Sequence, residues 1–291
     1  MKFSLALAMV EPEQYLPLAV AAEAAGFGAI AVPDFVFFPE KISGSYPYTP
    51  DGVCFWTAQT PWIDPWVAIP AMAAVTSRLR FYTNVLKLAI REPLLVAKMV
   101  SSAAVLSGNR VALGVGLGWT PEEFSWCGQD YETRGARADE AIEIIRACLG
   151  GDMIEYHGEH YQFGRLQMSP APSKRVPIYV GGVSKAGLRR AARLGDGWIS
   201  VVNTETEICA YIAQLRRFRA EWGRENDPFE IKVVCGDVFD SDGFRRLEEH
   251  GVTDCITVPW HLYGGDIRDL GVKTAALQRF ADTVITRIDP R

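Results

Sequence analysis

The residues of this chain best suited to chemistry sit in two glycine-bearing stretches and around one carboxylate. In the first stretch, Val176 to Trp198, an apolar β-branched run enters Gly181 and Gly182, and a helical pattern follows with Leu188, Ala191 and Ala192 on one face. At such a junction Ser184 can cap the helix, while unpaired backbone N–H groups and the positive dipole end point outward together. That arrangement suits an anion such as phosphate. The same glycines would equally serve a tight turn that needs positive φ.

The second stretch, Val111 to Phe124, places Gly114, Gly116 and Gly118 at alternate positions of a strand end. Alternate glycines either let a ligand approach the backbone closely or ease the chain out of the strand. Their G-x-G spacing lacks the βαβ context of a dinucleotide fingerprint. Glu122 and Glu123 follow a few residues later. Elsewhere, Asp34 stands among Phe35, Phe37 and Phe38, where desolvation would raise its pKa and suit it to acid or base work. A structural hydrogen-bonding role fits the same position.

What positions these residues is an alternation of strand and helix patterns. Strands are predicted over Phe3 to Met9, Ala29 to Val32, Leu79 to Leu88 and Arg110 to Gly114. Their helices are Glu13 to Ala25, closed by Gly26, then Pro65 to Val75, Leu94 to Leu106 and Arg134 to Leu149. Val176 to Val180 with its helix forms the fifth pair, and Gly197 to Val202 with Glu205 to Trp222 the sixth. Ile231 to Val238 with Gly243 to His250, and Asp254 to Pro259 with Thr274 to Ile288, follow. Repeated βα units of this kind predict a (β/α)8 TIM barrel in a single domain over residues 1–291. Its working face lies at the C-terminal strand ends, where Asp34, Asn84, Gly116 to Trp119, Gly181 to Ser184, Asn203, Asp237, Trp260 and His261 fall.

Two connections are long. Phe35 to Asp64 has no regular period but carries Tyr46, Tyr48, Phe55, Trp56 and Trp62, too aromatic for disorder. It reads as a lid or binding loop, or as packing on the barrel top or a subunit contact. Gly150 to Leu166, within an inserted region at 150–170, reads as a surface hairpin whose His157 and His160 have no helix to bring them together on a metal.

Composition narrows the ligand. The chain is 48% hydrophobic and 22% charged with net charge −5, which gives no basic footprint for nucleic acid or anionic membrane and points to a small molecule. Cys54, Cys127, Cys148, Cys209, Cys235 and Cys255 include no C-x-x-C pair, so no metal site is expected and reduced cytoplasmic thiols fit best. The opening MKFSLALAMV reads as a strand before a helical turn at Glu11, Pro12 and Glu13 rather than as a secretion signal.

Taken in order, YPYTPDG (Tyr46 to Gly52), REPLLVAK (Arg91 to Lys98), LSGNRVALGVGLGW (Leu106 to Trp119) and VGGVSKAGLRRAARLGDGW (Val180 to Trp198) resemble the luciferase-like monooxygenase superfamily, in the branch using the deazaflavin coenzyme F420. The resemblance implies that Gly181, Gly182, Val183 and Ser184 hold the coenzyme's phosphodiester. It also implies that Asn84 and Val85 form a bulge, often with a cis peptide, behind the deazaflavin ring, and it makes Gly116 and Gly118 cofactor-binding candidates. Phe35 replaces the histidine that follows the acidic residue in many relatives, and Trp119 replaces the glutamate of the family's sugar-phosphate dehydrogenases. Asp34 and Glu123 are then the catalytic candidates, with Phe35, Tyr48, Trp56 and Trp119 lining a substrate pocket. The expected activity is hydride transfer between coenzyme F420 and a small apolar or aromatic substrate, in a cytoplasmic homodimer. The alternatives are a monooxygenase using reduced FMN and a non-catalytic deazaflavin carrier.

Overall fold

The computed structural model describes residues 1–288. Its strands are β1 (Lys2–Ala6), β2 (Ala29–Val32), β3 (Arg80–Thr83), β4 (Leu86–Lys87), β5 (Val111–Gly116), β6 (Met153–His157), β7 (Gln162–Gln167), β8 (Ile178–Gly181), β9 (Gly197–Asn203), β10 (Glu230–Cys235) and β11 (Asp254–Thr257). Parallel pairing runs β3-β2-β1-β11-β10-β9-β8-β5, and β3 pairs with β5 to close the ring. This is the eight-position barrel expected from the βα alternation, with β3 and β4 sharing one position. β6 and β7 pair antiparallel outside it, as the surface hairpin predicted for that insertion.

Local chemistry sets the helix ends. Pro65 begins the helix Pro65–Ala74, and the Asp64 carboxylate accepts from Trp66 N at 2.8 Å. Thr204 and Glu207 form a reciprocal capping box on the helix Glu205–Glu221. The helix Tyr15–Ala25 stops at Gly26, whose φ of 90° is left-handed.

One predicted strand is broken. Leu79 to Leu88 divides into β3 and β4 at a cis peptide between Asn84 and Val85, the bulge anticipated there. At the break the Thr83 side chain takes over the ladder: its hydroxyl donates to Gly114 O at 2.6 Å and accepts from Gly114 N at 2.9 Å. Pairing resumes at Leu86 with Val115 and Lys87 with Gly116. Two short helices, Pro121–Trp126 and Trp260–Tyr263, were not predicted, because neither is long enough to show a helical period.

The barrel interior is filled. At its amino end the Lys232 ammonium lies 2.7 Å from Asp254 and 4.7 Å from the centroids of both the Tyr82 and Tyr179 rings. Asp254 also accepts from the Ser4 hydroxyl at 2.7 Å. These side chains are buried and leave a cavity of about 20 Å³, room for roughly one water. Toward the carboxyl end the interior continues through Ala31, Ile199 and Ile256, with Val85 packed on them.

Candidate active site

At the carboxyl end, the kink after β3 turns Val85 toward two glycines. A Cβ on Gly116 would lie 2.5 Å from Val85 Cγ2, and one on Gly181 would lie 3.0 Å from Val85 Cγ1. The missing side chains of β5 and β8 are therefore a seat for Val85. Val85 thus occupies the room that a side chain at position 116 would need. Gly118 differs, since its φ of +84° requires glycine whatever the space.

The turn after β8 has the expected form with one unforeseen support. Ser184 is the N-cap of the helix Lys185–Leu194, and its hydroxyl accepts from Gly187 N at 3.1 Å. Gly182 has a φ of +117°, and no atom comes within 4 Å of where its Cβ would be. The fully buried Trp198 donates from Nε1 to Gly182 O at 2.8 Å, and Gly182 N donates to Ile199 O. The carbonyl is thus drawn to the indole, while the helix start keeps the unpaired N–H groups common to such ends. The sequence signal for this support was the tryptophan in GDGW, three residues past the helix-ending Gly195, but nothing in one dimension says what its N–H reaches.

The carboxylate candidates are held by cations. Arg91 meets Asp34 with two parallel bonds of 2.7 Å, and Lys87 N donates to Asp34 at 2.8 Å. Glu123 is fully buried; it accepts from Lys87 Nζ and from Val36 N at 3.1 Å. Burial pushes the Lys87 pKa down, with Glu123 pulling the other way, and the ammonium lies 4.1 Å from the Phe35 ring centroid. Residues 34 to 36 are therefore gripped in succession: Asp34 by Arg91, Phe35 by Lys87, Val36 by Glu123.

The segment 35–64 forms no helix or strand and returns over the site. Trp56 packs on Phe35 at 5.4 Å, Tyr46 at 5.0 Å, Phe55 at 5.2 Å, Trp62 at 5.7 Å and Trp119 at 6.2 Å, centroid to centroid. Phe35 leaves the end of β2 and Trp119 the end of β5, so the cluster bridges two strand exits at the mouth. Tyr48 lies at its edge, 5.3 Å from Tyr46 and 44% exposed. Ser43 N donates to Glu122 at 2.8 Å, which ties the loop to the helix Pro121–Trp126.

The chain and its fold have known counterparts. A family model described as luciferase-like monooxygenase matches residues 5–238. An uncharacterized protein of Mycobacterium tuberculosis is 45% identical over 291 residues, covering 99% of this chain and 100% of that one. An F420-dependent glucose-6-phosphate dehydrogenase of Amycolatopsis mediterranei is 29% identical over 192 residues, 65% of this chain and 53% of that enzyme. A coenzyme F420 dependent tetrahydromethanopterin reductase from Methanopyrus kandleri shares the fold with a TM-score of 0.76 at 16% identity over 99% of both chains. A monooxygenase from Streptomyces bottropensis also has a TM-score of 0.76, at 20% identity over 99% of both chains.

Proposed function

This chain belongs to the luciferase-like monooxygenase family, and from that premise we propose that it is an oxidoreductase moving a hydride between coenzyme F420 and a small apolar or aromatic substrate. The observation that carries the reading is the pairing of Val85, seated on Gly116 and Gly181, with a Gly182–Ser184 turn at a helix start on the exit of β8. The F420-dependent dehydrogenase among the relatives supports this choice of coenzyme.

In this reading the backbone N–H groups of Val183 and Ser184 hold the coenzyme phosphate, aided by the helix dipole. Trp198 keeps the Gly182 carbonyl turned to its indole. Asn84 and Val85 support the back of the ring, and Gly118 lets the chain turn away beside them. When bound, the deazaflavin would supply two-electron hydride chemistry. Asp34 is a positioning residue, since Arg91 and Lys87 N take its oxygens. The Lys87–Glu123 pair is the group able to hold a proton, at Lys87 Nζ or the Glu123 carboxylate. Phe35, Tyr48, Trp56 and Trp119 form an aromatic wall that keeps water from the reacting face.

Ultrafiltration binding with coenzyme F420 and FMN in parallel tests the assignment. F420 should bind more tightly, and Gly182→Val should weaken it at least about tenfold, or about 1.4 kcal/mol. The loss comes from backbone conformation, because a side chain at φ +117° is strained even where space is open. Preference for FMN would favour an oxygen-using monooxygenase instead, and tight F420 binding without turnover on any substrate would favour a carrier.

A further inference from the structure

The aromatic cluster at the mouth contains two hydrogen-bond donors with no acceptor. The indole nitrogens of Trp56 and Trp62 are both buried and have no partner among the described residues. Trp56 is 9% exposed, and its ring touches both Phe35 and Trp119, so its N–H is shut in beside the strand exits. A buried donor left unmet is costly, whereas the same donor meeting a ligand oxygen is favourable. Tyr46 adds a third donor to the cluster. Its phenol is pushed up to about 12, by burial first and by Tyr48 and Cys54 in addition, so it keeps its proton.

Asp34 is taken by Arg91, and Glu123 by Lys87 and Val36 N, while Glu122 accepts from Ser43 N through one carboxylate oxygen and keeps the other buried without a partner among the described residues. The two cations at the root of the loop are spent on the same pairs, so neither is free to neutralise an anionic ligand. We infer that Trp56 and Trp62 form an acceptor-recognition site, and that its ligand is a neutral molecule with a flat apolar body and a carbonyl oxygen. The rings supply contact for the body, and the indole N–H groups donate to the oxygen. This deepens the oxidoreductase reading and rests on it for the mouth being a substrate site.

The test uses three probes of one shape: 1-indanone, indane, which lacks the oxygen, and indane-2-carboxylate, which is charged. Each is titrated into the full ¹⁵N-labelled protein without coenzyme while the indole N–H crosspeaks are followed. Trp56→Phe and Trp62→Phe assign the two crosspeaks. Trp66 is the control, being also unpaired but outside this cluster's ring contacts among the described residues. The expected result is a shift of the Trp56 and Trp62 signals by 1-indanone and not by indane. The ketone should bind about fivefold more tightly than indane, and the double phenylalanine variant should bring the two within about twofold. The crosspeak shifts are read on the unsubstituted protein, so a variant that fails to fold does not remove the test. Equal shifts from indane, no shift from 1-indanone up to its solubility, or tighter binding of the carboxylate would each overturn the assignment. Because coenzyme is absent, a preference for FMN in the separate binding assay would overturn the coenzyme reading and leave this result standing.

Discussion

Lys87→Met is expected to lower the free energy of unfolding by about 3–5 kcal/mol, the usual consequence of stranding one member of a buried ion pair. The magnitude follows from Glu123, which has no exposure and would retain only the Val36 N–H as a named partner. Methionine matches the lysine stem in length and apolar character, so the loss reports the charge rather than a cavity. Pairing Lys87→Met with Glu123→Gln removes both charges and should recover most of the loss. Urea denaturation of the four proteins in this cycle gives the coupling directly. Additive losses would show that the pair contributes nothing as a pair. Because Glu123 also holds Val36, the single variant should loosen the start of the aromatic loop as well.

Gly116→Ala is expected to destabilise the barrel by about 1–3 kcal/mol through overpacking, because the new methyl would lie 2.5 Å from Val85 Cγ2. Val85→Ala alone removes partly buried methyl groups and has its own loss. Combined, the two should be less harmful than their sum, since alanine at 85 makes room for alanine at 116. Denaturation midpoints and coenzyme affinity of the four proteins check this. Strict additivity would mean that Val85 does not rest on Gly116. A matched recovery of coenzyme affinity in the double variant would tie the seat of Val85 to the ring pocket.

The barrel was legible because each of its units repeats one local pattern: a β-branched run, a turn and an apolar helical stripe. Helices such as Arg134–Leu149 and strands such as Ala29–Val32 fall where that pattern puts them. The cis bond at Asn84–Val85 was anticipated only through resemblance to a family; the apolar run from 79 to 88 by itself reads as one strand. Asp34 and Glu123 were singled out as carboxylates, but their partners were not. Arg91 lies 57 positions from Asp34, and Lys87 lies 36 from Glu123, so both pairs exist only once neighbouring strands have paired. A signal for Lys87 was present: a lysine inside VLKLAI occupies a position where burial is the rule and a charge needs a partner. The purpose of Gly116 was hidden for the opposite reason. What matters there is an absent atom, and the side chain that takes its room comes from another strand.

The charged layer at the amino end of the barrel has a consequence for traffic. Lys232, Asp254 and the Tyr82 and Tyr179 rings fill that end of the barrel among the described residues. In the reading proposed above, a molecule that reaches Val85 would enter from the carboxyl end, where the aromatic segment around Trp56 lies. A molecule lying against Val85 would be trapped behind one lying under the indoles. The deeper molecule would then have to arrive first and depart last, so the order of binding would be set by the plug at the far end rather than by affinity.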